Sequence, residues 1–263
     1  MSLIEHTLFG KRDMVATAIE RIRTFAPKDG TPYWLAFSGG KDSCVCERLL
    51  AMSGMPYEKH YAVTTVDPPE LVRFIQHAHP DTIWHRPEHS MWRLIDTVKL
   101  FPPLRQQRYC CERLKETVVP SEGCLCVTGV RWEESARRAN RKMYEPNKRI
   151  NAFYLHPIID WTEAQVWEFI RVHNVPYCSL YDEGKRRLGC VLCPQQGQRR
   201  MREDAQRWPK IAAAYVRAFD RALAKRKAQG RRADWATGQE WFDWWVGQNQ
   251  DDGEDCALPL FDN

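Results

Sequence analysis

The fold of this chain is decided by Ser38-Gly39-Gly40-Lys41-Asp42-Ser43. The preceding residues, Tyr33-Trp34-Leu35-Ala36-Phe37, predict a short buried strand, and the following Cys44-Val45-Cys46-Glu47-Arg48-Leu49-Leu50 predicts an apolar helix. A strand, a glycine turn and a helix together present backbone N–H groups and the positive end of a helix to a phosphate. The two glycines let the backbone approach the anion, the lysine adds a charge, and the two serine hydroxyls can donate hydrogen bonds. The stretch therefore predicts a phosphate-binding loop, with a glycine turn that binds no phosphate as the alternative.

The spacing of this loop excludes the P-loop of kinases and GTPases, which has four residues between its first glycine and Gly-Lys-Ser/Thr. It resembles the pyrophosphate loop (PP-loop) of enzymes that split ATP between the α and β phosphates. That superfamily also includes the sulfonucleotide reductases, which bind an adenylyl sulfate there. The resemblance implies that residues 38–43 hold the nucleotide phosphates and that Lys41 and Asp42 act in catalysis, with Asp42 as a Mg²⁺ ligand if ATP is the substrate.

Composition limits the class of protein. A chain of 263 residues is long enough to bury a full core, and one α/β domain with additions is expected. The ten cysteines occur without an amino-terminal apolar run, which predicts metal or redox chemistry in a reducing compartment and not a disulfide framework. No stretch of 18 apolar residues is present, so a cytoplasmic protein is expected, with no membrane partner.

Strands and helices alternate along most of the chain. Strands are predicted at 57–65, 82–85, 124–130 and 153–159, and helices at 11–25, 70–79, 91–100, 110–118 and 162–173. This alternation predicts an α/β fold with a mostly parallel, Rossmann-like sheet, helices on both faces, and ligands at the carboxyl ends of the strands. The PP-loop resemblance implies the adenine-nucleotide α-hydrolase-like version of this fold. Residues 131–150 are predicted to form a polar, basic loop.

Three parts of the chain are predicted. Residues 1–196 form the nucleotide-binding domain, residues 197–247 a basic and aromatic helical extension of it, and residues 248–263 an acidic flexible tail. The extension is predicted to contain a long helix at 206–229 and an aromatic helix at 237–246, whose tryptophans are interpreted as core. Residues 185–232 carry fifteen Lys and Arg against three acidic residues, so this stretch either binds nucleic acid or consists of solvated helix faces.

Four cysteines form the second strong pattern. Cys110 and Cys111 are adjacent, and Cys190-Val191-Leu192-Cys193 follows about eighty residues later. Thiolates bind zinc or iron–sulfur clusters, and a Cys-x-x-Cys turn places two sulfurs on one metal centre. Adjacent cysteines diverge, so a cube with separate iron corners accommodates them more easily than one tetrahedral zinc. The spacing alone leaves zinc and 4Fe–4S open, as well as scattered buried thiols.

Here the resemblance becomes specific. The run Cys110-Cys111-Glu112-Arg113-Leu114-Lys115, followed by Gly189 to Cys193, is similar to the paired-cysteine signature of the adenylyl-sulfate reductases that carry a 4Fe–4S cluster. Thr128-Gly129-Val130-Arg131-Trp132-Glu133-Glu134-Ser135 resembles the superfamily's TGxRxxxS segment. Pro157-Ile158-Ile159-Asp160-Trp161-Thr162, through Val175-Pro176-Tyr177, resembles its PxxDWxxxxVW…xPY segment. The blocks occur in family order between about residues 30 and 195, which implies a 4Fe–4S cluster on Cys110, Cys111, Cys190 and Cys193.

The same resemblance implies further site residues. Arg131 is placed to neutralise a phosphate or sulfate and to act in catalysis, with a surface salt bridge as the alternative, and Ser135 belongs to the nucleotide site. Asp67 either reaches a ribose hydroxyl or caps the next helix. Arg137, Arg138 and Arg141 either close over an anionic ligand or are solvated charges.

One departure from the reductases redirects the functional prediction. They form a thiosulfonate on a late cysteine in a Glu-Cys-Gly-x-His-like motif, whereas the late cysteine of this chain, Cys256, lies in Asp255-Cys256-Ala257-Leu258. The sulfur-transfer branch, which includes the bacterial DNA phosphorothioation enzymes, keeps the PP-loop and the cluster without that motif. The resemblance thus implies ATP cleavage to AMP and pyrophosphate, activating an acceptor for sulfur transfer, with nucleic acid as the expected acceptor. Cys178 is a possible persulfide carrier, and a cysteine desulfurase a possible sulfur donor.

Two other functions stay open. One is an assimilatory reductase of adenylyl sulfate or phosphoadenylyl sulfate that releases sulfite, and the other is a non-catalytic nucleotide-binding subunit with a structural cluster. In the tail, Leu258-Pro259-Leu260-Phe261 resembles the short apolar peptide by which bacterial proteins bind the replication sliding clamp, without its leading Gln. A tail that folds back onto its own domain is the alternative.

Overall fold

The computed structural model describes residues 3–7, 10–120, 123–147 and 151–247. Its strands are β1 (Ile4–Thr7), β2 (Gly10–Asp13), β3 (Tyr33–Ala36), β4 (Tyr57–Ala62), β5 (Ile83–His85), β6 (Leu125–Val127), β7 (Tyr144–Asn147) and β8 (Ala152–Leu155). Its α-helices are α1 (Met14–Thr24), α2 (Lys41–Ser53), α3 (Pro69–Ala78), α4 (Met91–Arg93, continued by a π-helix Leu94–Lys99), α5 (Tyr109–Leu114), α6 (Ala136–Ala139), α7 (Glu163–Val172), α8 (Gln198–Arg207), α9 (Pro209–Ala228) and α10 (Gly238–Val246).

Two compact units are built from interleaved segments of the chain. The first unit consists of the described residues up to Val63 together with Pro69–Arg86 and Thr117–Leu188. The second consists of Thr64–Pro68, Pro87–Glu116 and the described residues from Gly189 onward. The domain boundaries predicted at residues 196 and 247 remain predictions. The predicted tail 248–263 lies outside the described residues.

A six-stranded sheet organises the first unit, with the strand order β5-β4-β3-β6-β8-β7. β3 pairs in parallel with both β4 and β6, and only β7 in this sheet runs antiparallel to its neighbour. The strands form where apolar side chains alternate or cluster, as in β3, where Tyr33 and Leu35 are fully buried. The predicted mostly parallel α/β fold with a C-terminal helical part is confirmed.

Local sequence signals set the helix ends in this unit. α2 ends at Gly54, whose φ of 74° is the left-handed conformation that glycine adopts without strain. α7 begins at Thr162, whose hydroxyl accepts the N–H of Gln165 while the Gln165 side chain accepts the N–H of Thr162. The start of α7 agrees with the predicted helix 162–173.

The prediction of residues 131–150 as a loop was wrong, whereas that of a long helix near residue 210 agrees with the structure. Residues 131–150 contain more than a loop, because α6 and β7 form there and β7 pairs with β8 through a register that joins Tyr144 to Leu155. A short polar strand gives little periodic signal in the sequence, so its formation depends on pairing with a neighbouring strand. The predicted long helix 206–229 corresponds to α9, which begins at Pro209 because proline cannot continue the hydrogen bonding of the preceding helix α8.

The second unit has a core of aromatic residues between its helices. Trp241 and Trp245 of α10 are buried and lie 5.4 and 5.5 Å from the Phe219 ring of α9, between ring centroids. The interpretation of these tryptophans as core is therefore confirmed. Within the described ranges, no helix has both the length and the apolar character needed to cross a membrane.

Candidate functional site

The predicted phosphate loop joins the carboxyl end of β3 to the start of α2. Gly39 has a φ of 68°, and an added Cβ there would lie 2.7 Å from Leu71 Cδ1, so this turn requires glycine. Inside the loop the Gly40 N–H donates to Ser38 Oγ at 3.3 Å, and the Ser43 hydroxyl donates to the Gly40 carbonyl at 2.8 Å. Both serines therefore shape the loop from within.

Contacts from a distant segment cover the lysine of this loop. The Lys41 N–H, at the start of α2, donates to the hydroxyl of Tyr181 at 2.9 Å, and Lys41 Nζ donates to the Arg186 carbonyl at 3.3 Å. The same ammonium lies 3.4 Å from Asp42 Oδ2 and 3.5 Å from Glu163 Oε1. Backbone N–H groups at a helix N-terminus are suited to bind phosphate. The Tyr181 hydroxyl therefore accepts the hydrogen bond of one N–H group that a phosphate would use.

The neighbouring strand closes against the loop through a second glycine. Gly129 follows β6, and a Cβ added there would lie 2.8 Å from the Asp42 carbonyl carbon and 2.9 Å from its oxygen. A side chain at this position would therefore push the end of β6 away from α2. The approach explains why a glycine follows Thr128.

An open pocket of about 170 Å³ lies over the loop. Besides the loop residues it is lined by residues that follow β6 and by the segment that ends at Leu188: Gly129, Val130, Glu134, Arg138, Tyr181, Arg187 and Leu188. Lys41, Arg138 and Arg187 bring positive charge to it, while Asp42 and Glu134 bring carboxylates. Such a pocket suits an anion that arrives with a divalent cation.

Arg131 does not line this pocket but lies behind it. Its side chain is buried, and its Nε donates to Asp42 Oδ1 at 2.7 Å while its Nη1 donates to Glu133 Oε2 at 2.8 Å and to the Trp161 carbonyl. Burial by itself lowers the pKa of Arg131, but the Asp42 carboxylate raises it overall, so the guanidinium stays charged. The alternative for Arg131 was a surface salt bridge, and the structure shows a salt bridge that is buried. The role of Arg131 in neutralising the ligand stays a prediction.

The remaining predicted nucleotide residues have local partners. Ser135 Oγ accepts the N–H of Arg138 at 3.3 Å and so caps α6. Asp67 belongs to the second unit, and its Oδ2 accepts the N–H of Thr64 at 2.9 Å, so it closes a turn before α3. Of the predicted arginine loop, Arg138 lines the pocket, whereas Arg141 pairs with Glu145.

The four predicted metal-binding cysteines all belong to the second unit. Cys110 and Cys111 lie in the first turns of α5, whereas Cys190 and Cys193 flank a turn before α8. All four are half-buried, and the pKa of Cys110 is raised by a hydrogen bond to Cys111, by burial and by the charges of Cys111, Cys190 and Cys193. Across the described residues, no three His, Cys, Asp or Glu side chains converge on a point that fits a single metal ion.

The Cys190–Cys193 turn is anchored from both sides. The Val191 N–H donates to the Val66 carbonyl at 2.8 Å, and the N–H of Leu192, which has a φ of 59°, donates to Asp204 Oδ2 at 3.0 Å. Asp204 is buried on α8 and also accepts a hydrogen bond from the Gln196 amide. The turn is therefore preformed by residues that the motif itself does not contain.

Positive groups surround the cysteines. A hydrogen bond from the Cys110 thiol, together with the Arg108 guanidinium at 3.6 Å, lowers the pKa of Cys111. The negative charge of Cys190, with those of Asp67 and Cys111, raises the pKa of Lys115. When four thiolates bind one metal centre they repel one another, and Arg108 and Lys115 would offset part of that repulsion.

The other cysteines have different surroundings. Cys44 and Cys46 on α2 and Cys126 on β6 are buried, and burial raises the pKa of each thiol, so these side chains pack as small apolar residues. Cys178 is likewise buried, and its pKa is raised by burial. Cys256 and the Leu258–Phe261 peptide lie outside the described residues, so both interpretations stay predictions.

Sequence reasoning missed several residues of the pocket. Tyr181 and Arg187 lie some 140 residues after the phosphate loop, between two family blocks, and no local pattern marks them. Glu134 stands inside the quoted TGxRxxxS segment and was given no role. Glu134 is an acidic residue between Arg131 and Arg137 in the sequence, and this arrangement of charges was the signal that could have indicated a role for it.

The sheet, the strand–glycine loop–helix unit and the pocket over it define a PP-loop protein. The phosphoadenosine phosphosulfate reductase domain matches residues 32–196, more than half of the sequence, and the chain belongs to this family.

Individual relatives agree with this assignment. An uncharacterized protein of Methanocaldococcus jannaschii is 30% identical over 210 residues, which are 74% of this chain and 42% of that protein. The adenosine 5′-phosphosulfate reductase of Oceanobacillus iheyensis is 32% identical over 109 residues, 40% of this chain and 45% of the relative. The chain thus spans less than half the length of these curated relatives. The crystal structure of phosphoadenylyl-sulfate reductase from Candida auris, a phosphate complex, has the same fold, with a TM-score of 0.50 and 18% identity over 66% of this chain and 88% of that one.

Proposed function

We propose that this protein cleaves ATP to AMP and pyrophosphate in order to activate an acceptor for sulfur transfer, and that the acceptor is a nucleic acid, as in DNA phosphorothioation. The observation that carries the proposal is the charge pattern of the pocket. Three cationic side chains face it together with the carboxylates of Asp42 and Glu134. The Asp42 carboxylate beside the phosphate loop suits Mg²⁺, which accompanies ATP, whereas Glu134 is engaged by arginine groups.

The residues of the pocket have distinct roles in this reaction. The acceptor oxygen attacks the α-phosphorus, the bond to the β-phosphate oxygen breaks, and pyrophosphate leaves with the electron pair. Lys41 and the N–H groups at the start of α2 stabilise the negative charge that develops on the phosphates. Asp42, held by Arg131 Nε at 2.7 Å, is positioned to bind the Mg²⁺. A sulfur nucleophile then replaces the activated oxygen, which leaves as part of AMP.

The four cysteines fit a 4Fe–4S cluster better than a zinc ion. Cys110 and Cys111 are adjacent, so their side chains diverge, and a cube with separate iron corners accommodates them more easily than one tetrahedral zinc. Cys110, Cys111, Cys190 and Cys193 are the proposed ligands. When bound, such a cluster supplies iron sites for holding sulfur or an electron-transfer centre. Arg108 and the Asp204-anchored turn keep the ligand set in place.

The proposed nucleic-acid partner is supported by the exposed charge of the second unit. The exposed basic residues of α8 and α9 are Arg199, Arg200, Arg207, Lys210, Arg217, Arg221, Lys225 and Lys227. Neutralising phosphates with such side chains releases counterions, so binding should weaken steeply with salt. A cysteine desulfurase as sulfur donor and a sliding clamp as tail partner belong to the same proposal.

The second function, a sulfonucleotide reductase, is favoured by the relatives that bear the name adenosine 5′-phosphosulfate reductase. It requires a thiol that attacks the sulfur, and no cysteine is among the residues that line the described pocket. The two functions differ in substrate and in products, so one assay separates them.

The deciding experiment uses anaerobically purified protein with its iron quantified. Labelled ATP, adenylyl sulfate and phosphoadenylyl sulfate are offered separately, with and without DNA and RNA, and the products are resolved. We expect AMP and pyrophosphate from ATP, stimulated by one nucleic acid, and loss of both in Lys41→Ala but not in a variant of an exposed lysine, Lys28→Ala. Sulfite from a sulfonucleotide with ATP untouched would identify a reductase instead. Turnover of none of the three would favour a nucleotide-binding subunit.

A further inference from the structure

Glu134 holds two arginines at the rim of the pocket. Its Oε2 accepts a hydrogen bond from Arg138 Nη1, and its Oε1 lies 3.6 Å from Arg187 Nη2. The same carboxylate accepts the N–H of Arg131 at 3.0 Å, which fixes it at the carboxyl end of β6. The Glu134 side chain is only 10% exposed. It is therefore a fixed anchor for two guanidinium groups that come from separate parts of the chain.

Both arginines remain available to a ligand. The side chain of Arg187 is 63% exposed and that of Arg138 is 36% exposed, and both line the pocket. Ion pairs with this exposure contribute little to the stability of a protein, so the guanidinium groups can bind a second anionic partner without loss of the fold. A guanidinium fork binds phosphate oxygens bidentately, which a lysine cannot do.

We propose that Arg138 and Arg187 form a pair that binds the pyrophosphate end of ATP, and that Glu134 is the residue that positions the pair. The inference rests on the proposed function, because its ligand is ATP. The phosphate loop and the start of α2 line one part of this cavity with Gly40, Lys41 and Ser43. The two arginines line the same cavity from different parts of the chain. Arg138 belongs to α6, and Arg187 belongs to the segment after Tyr181. ATP has two phosphates beyond the α-phosphate, and these are the groups that the arginine pair would bind. AMP lacks them and should not contact the pair.

The test measures binding to the full chain by calorimetry with Mg²⁺ present, using ATP, inorganic pyrophosphate and AMP. The variant is Arg187→Ala, and the matched control is Arg137→Ala, which removes an exposed arginine of α6 that does not line the pocket. We expect Arg187→Ala to weaken ATP and pyrophosphate binding roughly tenfold, the loss typical of one charge-assisted hydrogen bond, and to leave AMP binding within about twofold. Arg137→Ala should bind all three as the wild type does.

The positioning role of Glu134 is tested by a double-mutant cycle. Glu134→Gln keeps the size of the side chain and removes its charge, and we expect it to weaken ATP binding in the wild-type background. Because Glu134 acts through the arginines, the same substitution should have a smaller effect in the Arg187→Ala background. Equal effects in both backgrounds, or tighter binding by Glu134→Gln alone, would overturn the positioning role.

The outcomes separate this inference from the function on which it rests. If the wild type binds ATP and pyrophosphate and Arg187→Ala binds them equally well, the arginine pair is refuted and the proposed function stands. If the wild type binds neither ATP nor pyrophosphate in the presence of Mg²⁺, the proposed function and the ligand of the pair are both refuted. Circular dichroism and thermal melting of each variant confirm that the exposed substitution leaves the fold intact.

Discussion

The close approach of Gly129 to α2 gives a prediction whose size follows from the structure. Gly129→Ala places a Cβ 2.8 Å from the carbonyl carbon of Asp42, where ordinary contact begins at 3.4 Å, so backbone must move by about 0.6 Å. The obstructing atoms are backbone atoms at the start of a helix, which cannot rotate away as a flexible side chain would. Forcing a methyl group into such a site costs about 1–3 kcal/mol.

This cost has a thermal and a functional consequence. For a protein of this size, each kcal/mol lowers the melting temperature by about 2–4 °C, so we expect a fall of about 2–12 °C. The shift also moves the first turn of α2, with Lys41 and Asp42, relative to the residues that follow β6. ATP affinity should therefore fall more than stability alone would require, because positioning errors below 1 Å already weaken a phosphate site.

The assay combines differential scanning calorimetry with ATP titration. Gly189→Ala is the matched control, since a Cβ there meets nothing within 4 Å and its backbone is not left-handed. We expect the control to melt and to bind ATP as the wild type does. A Gly129→Ala protein with unchanged melting temperature and ATP affinity would refute the inference that β6 and the phosphate loop are locked together at this glycine.

Three further predictions concern other parts of the chain. Cys190→Ser should lose the brown chromophore and the iron together, whereas Cys124→Ser, outside the four proposed ligands, should keep both; stoichiometric iron in Cys190→Ser would contradict the ligand assignment. Tyr181→Phe frees the N–H of Lys41, so we expect pyrophosphate to bind about two- to tenfold more tightly by calorimetry, and weaker binding would mean that the hydroxyl contacts the ligand. Burial lowers the pKa of His156 from 6.5 to about 4, so the unfolded chain takes up a proton that the folded one does not, and stability falls by up to about 3 kcal/mol as the pH drops from 6.5 towards 4. Denaturant unfolding at pH 7 and pH 4.5 should show this loss, and His156→Gln should reduce it; an equal loss in the variant would assign it to other groups.

The phosphate loop, several helix ends and the parallel sheet can be predicted from the sequence because each depends on residues that are close together in the chain. The hexapeptide 38–43 predicts its own loop, since glycines, a lysine and a helix start act within six residues. Gly54 and Thr162 mark helix ends through their own backbone and hydroxyl chemistry, and the alternation of strands with helices predicts the parallel sheet. The paired cysteines are likewise visible as spacing, although spacing does not distinguish zinc from an iron–sulfur cluster.

Tertiary structure alone decided which side chains meet in the pocket. Arg131, predicted to face the ligand, turns to Asp42 because a buried guanidinium requires carboxylate partners, whereas Arg187 reaches the cavity from a segment without any recognisable motif. The Cys-x-x-Cys turn depends on Asp204, which lies outside the motif on the next helix. These contacts join residues far apart in the chain, and their energies depend on burial and distance, which periodicity and spacing do not encode.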